Sequence, residues 1–539
     1  MVCFPDSPGE VPLKSLSVPV VLLPVLILLL GAATAALSGR RTRSFQWAIS
    51  PAVALAAWVG TLLAAGAVPE QTSLSAWRPE SIFPDPIRLM LDAVGWPIQL
   101  ASLSALLAVL LSEQSVRGES HPRHGTWLLA YAAAGLLALQ AGNLLTVALS
   151  WTILDLAGTG LPIRRGTETE RPNSSEGLLE VNAAGILLVL ASVLALPPGA
   201  ARSTLAGVGS SGPAALLFMG GIGLRSISTW QAPVWKSSLE TPGGERSLRW
   251  LLPSAVGVAA LGRVFGSPEG ALVEWTAVAG GLACILGTLG WLGAPRVKDG
   301  LPRLVLGIVG VGALGAAANP ASAEIAWSSA GVLILLIGVM VLVWRPYGRT
   351  HRMILGLGTL ALAGLPLTPG GLLASVLTSG GGGTLAAVAG WIGLLGLATM
   401  AVRLGAYIRL PQEAWPRIEQ WRKAAYVLGL TIPIASLVWT YAFLRSDAVG
   451  AGLTGPVAGL GMFVVGSVLR TRWPALRPGR GGRALRWLDP APMLHAAGAP
   501  LRALRAGIDR AGDLLEGEAA MLWIYVLVIA LGLAAGAGR

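Results

Sequence analysis

Apolar residues in this chain run in blocks of roughly 17–25 separated by short polar stretches, and blocks of that length cross the ~30 Å hydrocarbon core of a bilayer as helices. Sixteen spans are predicted: 16–37, 47–68, 88–112, 126–141, 143–163, 180–196, 213–231, 249–266, 270–292, 301–319, 322–343, 353–377, 384–409, 424–444, 449–469 and 519–536. The fourth, fifth and sixth are the shortest signals. Residues 126–163 could also form one tilted helix, although Gly142-Asn143 offers a turn between two. The expected fold class is an all-α polytopic membrane protein with about 14–16 transmembrane helices.

The polar stretches test that count. Of 39 Lys+Arg, thirty fall in alternate connections on one side, six on the other, and Arg225, Arg263 and Arg403 lie within spans. Lys and Arg resist translocation and favour the anionic inner leaflet, so the crowded side is expected to be cytoplasmic, in a cell inner (plasma) membrane, with both termini external. Nine of the thirty are arginines between 470 and 510. There, Leu501, Leu504, Ile508 and Leu515 oppose Arg502, Arg505, Asp509 and Arg510 at helical spacing, which predicts an amphipathic segment on the membrane surface, either a basic linker or a docking element. The first apolar block is expected to be a retained helix, not a signal peptide, because Asp6 and Glu10 precede it and Arg40, Arg41 and Arg43 follow.

Composition agrees with the pattern. The 539 residues are 54% hydrophobic and only 12% charged, against about 25% charged in soluble domains. The net charge of +12 is accounted for by one membrane face, so nucleic acid is not an expected partner; the bilayer and other membrane subunits are. No metal or cofactor is expected. Cys3 and Cys284 are far apart, and His121, His124, His351 and His495 are read as loop residues without metal-ligand spacing. There is no nucleotide loop, metal cluster or catalytic triad, hence no independent active site.

Glycine and proline interrupt three spans: Gly220, Gly221 and Gly223 the seventh, Pro253 the eighth, and Gly364, Pro366, Pro369, Gly370 and Gly371 the twelfth. Such residues kink or break helices, and a break at membrane depth lines a cavity or is sealed by protein. Close packing is the other use of membrane glycine. Ionisable groups at depth are costly and point to function. Arg225 is the deepest, followed by Ser226 and Ser228, with Asp155 as its plausible counter-charge; Arg263 and Arg403 are expected to snorkel to the interfaces. Asp92, Glu274 and Glu324 open helices, where the dipole favours anions.

These residues resemble the antiporter-like, proton-translocating membrane subunits of respiratory complex I (NADH:quinone oxidoreductase) and of multisubunit cation/proton antiporters. Leu362-Ala-Gly-Leu-Pro-Leu-Thr-Pro-Gly370 looks like that family's broken twelfth helix. Ile87 to Pro97 looks like the start of its third, Asn143 to Leu156 like its fifth and Leu224 to Trp235 like its broken seventh. The similarity spans roughly 85–410. It implies two inverted five-helix repeats with discontinuous helices: N-terminal helices over 1–112, a first repeat over 113–266, a second over 267–410, C-terminal helices over 411–469, the basic segment 470–518 and a final helix in 519–539.

The resemblance also implies a midplane proton path, and this chain departs from it. Thr152 stands where the family carries glutamate, leaving Asp155 one turn on; Arg225 stands for a lysine and cannot readily release a proton. The helix-eight histidine falls near Arg249 or Trp250, and Ala374 stands for the titratable residue after the twelfth-helix break. The path candidates are therefore Arg225, Asp155, Thr152, Ser226, Ser228, Arg249 and Arg403. Three functions remain open: an assembly subunit with a degenerate relay, a structural subunit that docks partners, and a stand-alone anion or small-solute transporter.

Overall fold

The computed structural model describes residues 19–37, 43–74, 86–117, 122–164, 173–196, 205–209, 211–231, 243–266, 271–294, 297–344, 349–379, 383–408, 419–445 and 452–472. The chain enters through α1 (Leu23–Leu37) and α2 (Arg43–Leu63), then a two-stranded ribbon, β1 (Glu70–Leu74) and β2 (Ile87–Leu91). Ten helices follow: α3 (Gly95–Arg117), α4 (Pro122–Leu139), α5 (Leu144–Arg164), α6 (Asn173–Leu194), α7 (Leu205–Gly209), α8 (Gly212–Gln231), α9 (Gly243–Val264), α10 (Ala271–Gly293), α11 (Val297–Ala318) and α12 (Ala323–Val343). The last five described are α13 (Arg349–Leu362), α14 (Pro369–Thr378), α15 (Thr384–Tyr407), α16 (Gln420–Arg445) and α17 (Thr454–Arg472). Among the described residues eight helical segments are long and apolar enough to cross a membrane, and shorter apolar helices fill the gaps between them: the chain is a multi-pass membrane protein. The amphipathic segment and the final span lie outside the described residues.

The predicted third span starts differently. Residues 87–91 are strand, not helix: β2 pairs antiparallel with β1, Leu91 opposite Glu70, and its other edge exchanges bonds with the α4–α5 connection through Met90 N–H to Gln140 O (2.7 Å) and Gly142 N–H to Arg88 O (2.8 Å). With both edges satisfied, helix begins only where the Asp92 carboxylate accepts the Gly95 N–H at 2.6 Å. His124 and His351, read as loop residues, lie in the first turns of α4 and α13, and His351 is buried against Tyr426.

The spine of the bundle is α12, buried at every residue but Glu324. It packs on α3, α9, α11 and α14, so both predicted repeats lean on it. Ser328 at its start donates to Ala93 O (3.0 Å), while Trp344 just past its end meets Tyr407, which marks the two opposite ends of the bundle. Apolar surface alone does not hold helices together in lipid, and polar side chains join them here. Gln140 donates to Gln99 (2.9 Å) and Gln99 to Thr61 (3.1 Å). Ser104 receives Trp58 Nε1–H (2.9 Å) and pairs with Ser436 (2.6 Å), stitching α16 to α3 across 332 residues of sequence.

Helix continuity differs from the expectation at two of three places. α8 runs unbroken through Gly223, because its glycines serve packing and open faces: a Cβ on Gly221 would stand 2.7 Å from Gly185 O, whereas one on Gly220 or Gly223 meets nothing within 4 Å. α9 runs through Pro253; the carbonyl that proline leaves without its helical donor is that of Arg249, and the Tyr131 hydroxyl donates to it at 3.4 Å. The third site is a true break. Helix stops at Leu362 and restarts at Pro369, with Gly364 at φ +99° and Leu367 at φ +65°. Thr368 caps the restart, accepting from Gly371 N–H (3.3 Å) and donating to Leu365 O (2.6 Å).

Candidate functional site

Among the described residues the least exposed charged group is Arg225, 1% exposed, in the middle of α8. A guanidinium there needs acceptors for a rigid fork of donors, and three backbone or side-chain groups from two neighbouring helices supply them. It pairs with the Asp155 carboxylate on α5, donates to Asn182 O on α6 (3.1 Å) and lies within reach of Trp151 O (3.4 Å). Its charged carbon stands 4.4 Å from the centre of the Trp151 ring, a cation–π contact that adds to the compensation. Trp151 and Asp155 are one turn apart and so share a face of α5. Gly185 on α6 makes room for the arginine stem, since a Cβ there would stand 2.2 Å from Arg225 Cγ. The Asp155 side chain is 13% exposed, so the carboxylate is the end of the pair nearest the outside.

The other candidates are not all gathered at this pair. The Thr152 hydroxyl turns back to Ala148 O in its own helix (2.7 Å). Arg249, half-buried, offers its carbonyl to Tyr131. Ser226 and Ser228 belong to α8, but their side chains lie outside the described residues.

Arg263 and Arg403 do not snorkel. Arg263 is 9% exposed and forks onto Asp92, Nε to Oδ2 at 2.8 Å and NH2 to Oδ1 at 3.0 Å, while NH1 donates to Leu139 O (2.6 Å) and Ala141 O (3.0 Å). Asp92 sits in the turn before α3. Burial alone would raise its carboxyl, but Arg263 and the Gly95 N–H outweigh that and hold it below its ordinary value of 3.8. Arg403 is also buried, donates to Leu292 O (3.0 Å) and to Ala294 O, and lies 5.7 Å from the Trp291 ring centre. Both arginines stay inside because unsatisfied helix-end carbonyls are there to receive them. That signal comes from helices over a hundred residues away and is invisible locally.

In the second half, the position after the break is Ala374, fully buried. α17 presses on it through glycines: a Cβ on Gly455 would stand 2.2 Å from Ala374 O, and one on Gly459 2.7 Å from Ala363 O. Ser375 donates across the same joint to Gly452 O at 3.1 Å. Neither a titratable side chain nor open space occupies this place. Among the described residues no cluster of three His, Cys, Asp or Glu could hold a metal.

No family model and no curated protein matches this sequence. Solved structures do. A chain of the Mrp complex from Dietzia sp. DQ12-45-1b superposes with a TM-score of 0.68 at 17% identity over 96% of this chain, which spans 63% of that chain's length. A chain of the membrane-bound sulfane sulfur reductase, an archaeal respiratory membrane complex, gives 0.60 at 15% identity, covering 96% of this chain and 100% of that one. At such identities the likeness speaks for the fold. The chain therefore shares its all-α, multi-pass membrane fold with chains of these two complexes.

Proposed function

We propose that this chain is a membrane subunit of a complex-I-like or antiporter-like assembly, in the inner membrane with both termini external, that keeps the proton-channel fold without a working central relay. A relay needs groups that take up and give back protons near neutrality, linked by water. The observation that carries the reading is the closed Arg225 site, with its guanidinium committed to Asp155 and to carbonyls of α5 and α6. Ala374 and the glycine-packed joint around it support the same reading for the second repeat. The chain then contributes a sealed, rigid body to the assembly. An anion-transporting role is less well supported, since Arg225 meets its counter-charge within the fold.

Proton flux into liposomes tests this. Wild type, Asp155→Asn and Arg225→Ala are expected at the level of empty liposomes. Wild-type flux that Asp155→Asn abolishes would overturn it. Purification in mild detergent tests the assembly half: co-purifying membrane subunits are expected, and a lone monomer contradicts it.

A further inference from the structure

A crevice of about 170 Å³ separates the two predicted repeats at membrane depth. Its floor is α9 and α12, through Val258, Leu261 and Trp327; its lips are α8 on one side and α10 with α11 on the other. Nearly all of its wall is apolar. An apolar cavity of about 150 Å³ stays dry and takes up an organic guest, so water is a poor occupant here. Lip residues Met219, Gly223, Ala279, Ala283, Leu306 and Val309 remain partly exposed, so the crevice opens sideways. Around that opening Leu216 on α8 and Trp275, Val278 and Leu282 on the membrane-spanning α10 are exposed, and the phase outside α10 is hydrocarbon.

Three polar side chains interrupt the apolar wall, and one of them, Ser254, donates to Trp250 O of its own helix at 3.2 Å. The other two groups, Trp327 Nε1–H and Thr276 Oγ1, belong to side chains each 2% exposed, and neither finds a hydrogen-bond partner among the described residues. A buried donor left unmade costs about 1–3 kcal/mol. Both stand within roughly 8 Å of the starts of α12 and α10 by the helical rise. Those starts lie at the same end of the bundle, and that depth is where hydrocarbon gives way to the polar boundary of a bilayer, the level of lipid ester carbonyls.

We infer that the crevice is a lipid site: one acyl chain of a membrane phospholipid lies between the repeats, its ester carbonyl toward Trp327 and Thr276 and its tail between α8 and α11. The occupant matches the wall at each level, a hydrogen-bond acceptor at the boundary and hydrocarbon below it. The site is independent of whether the chain conducts protons.

The test uses the full-length protein in liposomes containing a trace of phosphatidylglycerol with a photoreactive diazirine midway along one acyl chain, followed by mass-spectrometric mapping. Label is expected on the α8 segment around Met219 and the α11 segment around Val305. Gly223→Phe fills the crevice from a lip where a new Cβ meets nothing, and is expected to abolish that label. Gly220→Phe, equally open but outside the crevice, is expected to leave it intact. Ala279→Leu, from the opposite lip, makes the same test if the first variant does not reach the membrane. Equal labelling in wild type and the filled variants, or wild-type label confined to outward residues such as Trp275 and Leu282, overturns the site. So does loss of label when another membrane subunit is present, which would assign the crevice to a protein.

Discussion

Arg263 and Arg403 hold equivalent places at opposite ends of the bundle. Each lies in the last turns of the last helix of its predicted repeat and donates to carbonyls at the end of that predicted repeat's first helix, Arg263 to Leu139 and Ala141 at the end of α4, Arg403 to Leu292 and Ala294 at the end of α10. The exchange of ends is what an inverted repeat requires, and a cation at a helix C-terminus is favoured by the dipole as well as by the free carbonyls. Arg403→Met is expected to destabilise the protein by about 2 kcal/mol, from carbonyls left buried and unmet. Thermal unfolding in detergent reads this, and an unchanged midpoint would mean the arginine caps nothing.

Arg225→Ala leaves Asp155 as a charge without its buried partner. Breaking such a pair costs about 3–5 kcal/mol, while removing both charges costs much less. The double variant Arg225→Ala/Asp155→Ala is thus expected to be more stable than Arg225→Ala alone. Additive losses in a double-mutant cycle would contradict the coupling.

The Asp92–Arg263 pair gives an acid limb. Because the folded carboxyl lies below its ordinary 3.8, its contribution is complete above that value and is lost as pH falls through the lower folded one. Unfolding midpoints followed from about pH 6 down to about pH 3 should fall in wild type, and fall less in Asp92→Asn, where that proton is no longer exchanged.

At the helix break, a Cβ on Gly370 would stand 1.8 Å from Ala361 O, backbone that has nowhere to move. Gly370→Ala is expected to prevent accumulation of folded protein. Gly220→Ala, with open space around it, is expected to be neutral or to stabilise by up to about 1 kcal/mol. Fluorescence-detected size exclusion of both variants compares them directly.

Orientation is testable at two single cysteines placed in a Cys3→Ser/Cys284→Ser background. Ser379→Cys is expected to react with a membrane-impermeant maleimide from outside, Arg480→Cys only after the membrane is opened. Labelling of both from one side would invalidate the charge-based topology.

Most of the helix order could be read from the sequence because length and apolarity dominate in lipid, and the Arg225 and Asp155 partnership because a lone buried charge demands a counter-charge. Depth was the weak point. Distance to a helix end placed Arg263 and Arg403 at the interfaces, whereas acceptors contributed by distant helices keep them inside. Pro253 misled for a related reason: whether it breaks a helix depends on what the neighbouring helix supplies, here a tyrosine hydroxyl, whereas Gly223 sits on an open face of α8 and leaves the helix continuous. The crevice between the repeats has no linear signature at all, since its wall comes from five helices.

The Ser104–Ser436 bond sets a clock on biogenesis. Its two halves are 332 residues apart, and at about 5–20 residues per second the second follows the first by tens of seconds. Throughout that interval α3 has entered the membrane with one polar edge and its docking face for α16 still open. The N-terminal helices must therefore be held apart from foreign partners until nearly the whole chain has been made, and a chain stopped before α16 presents to the bilayer an adhesive seam that the finished protein conceals.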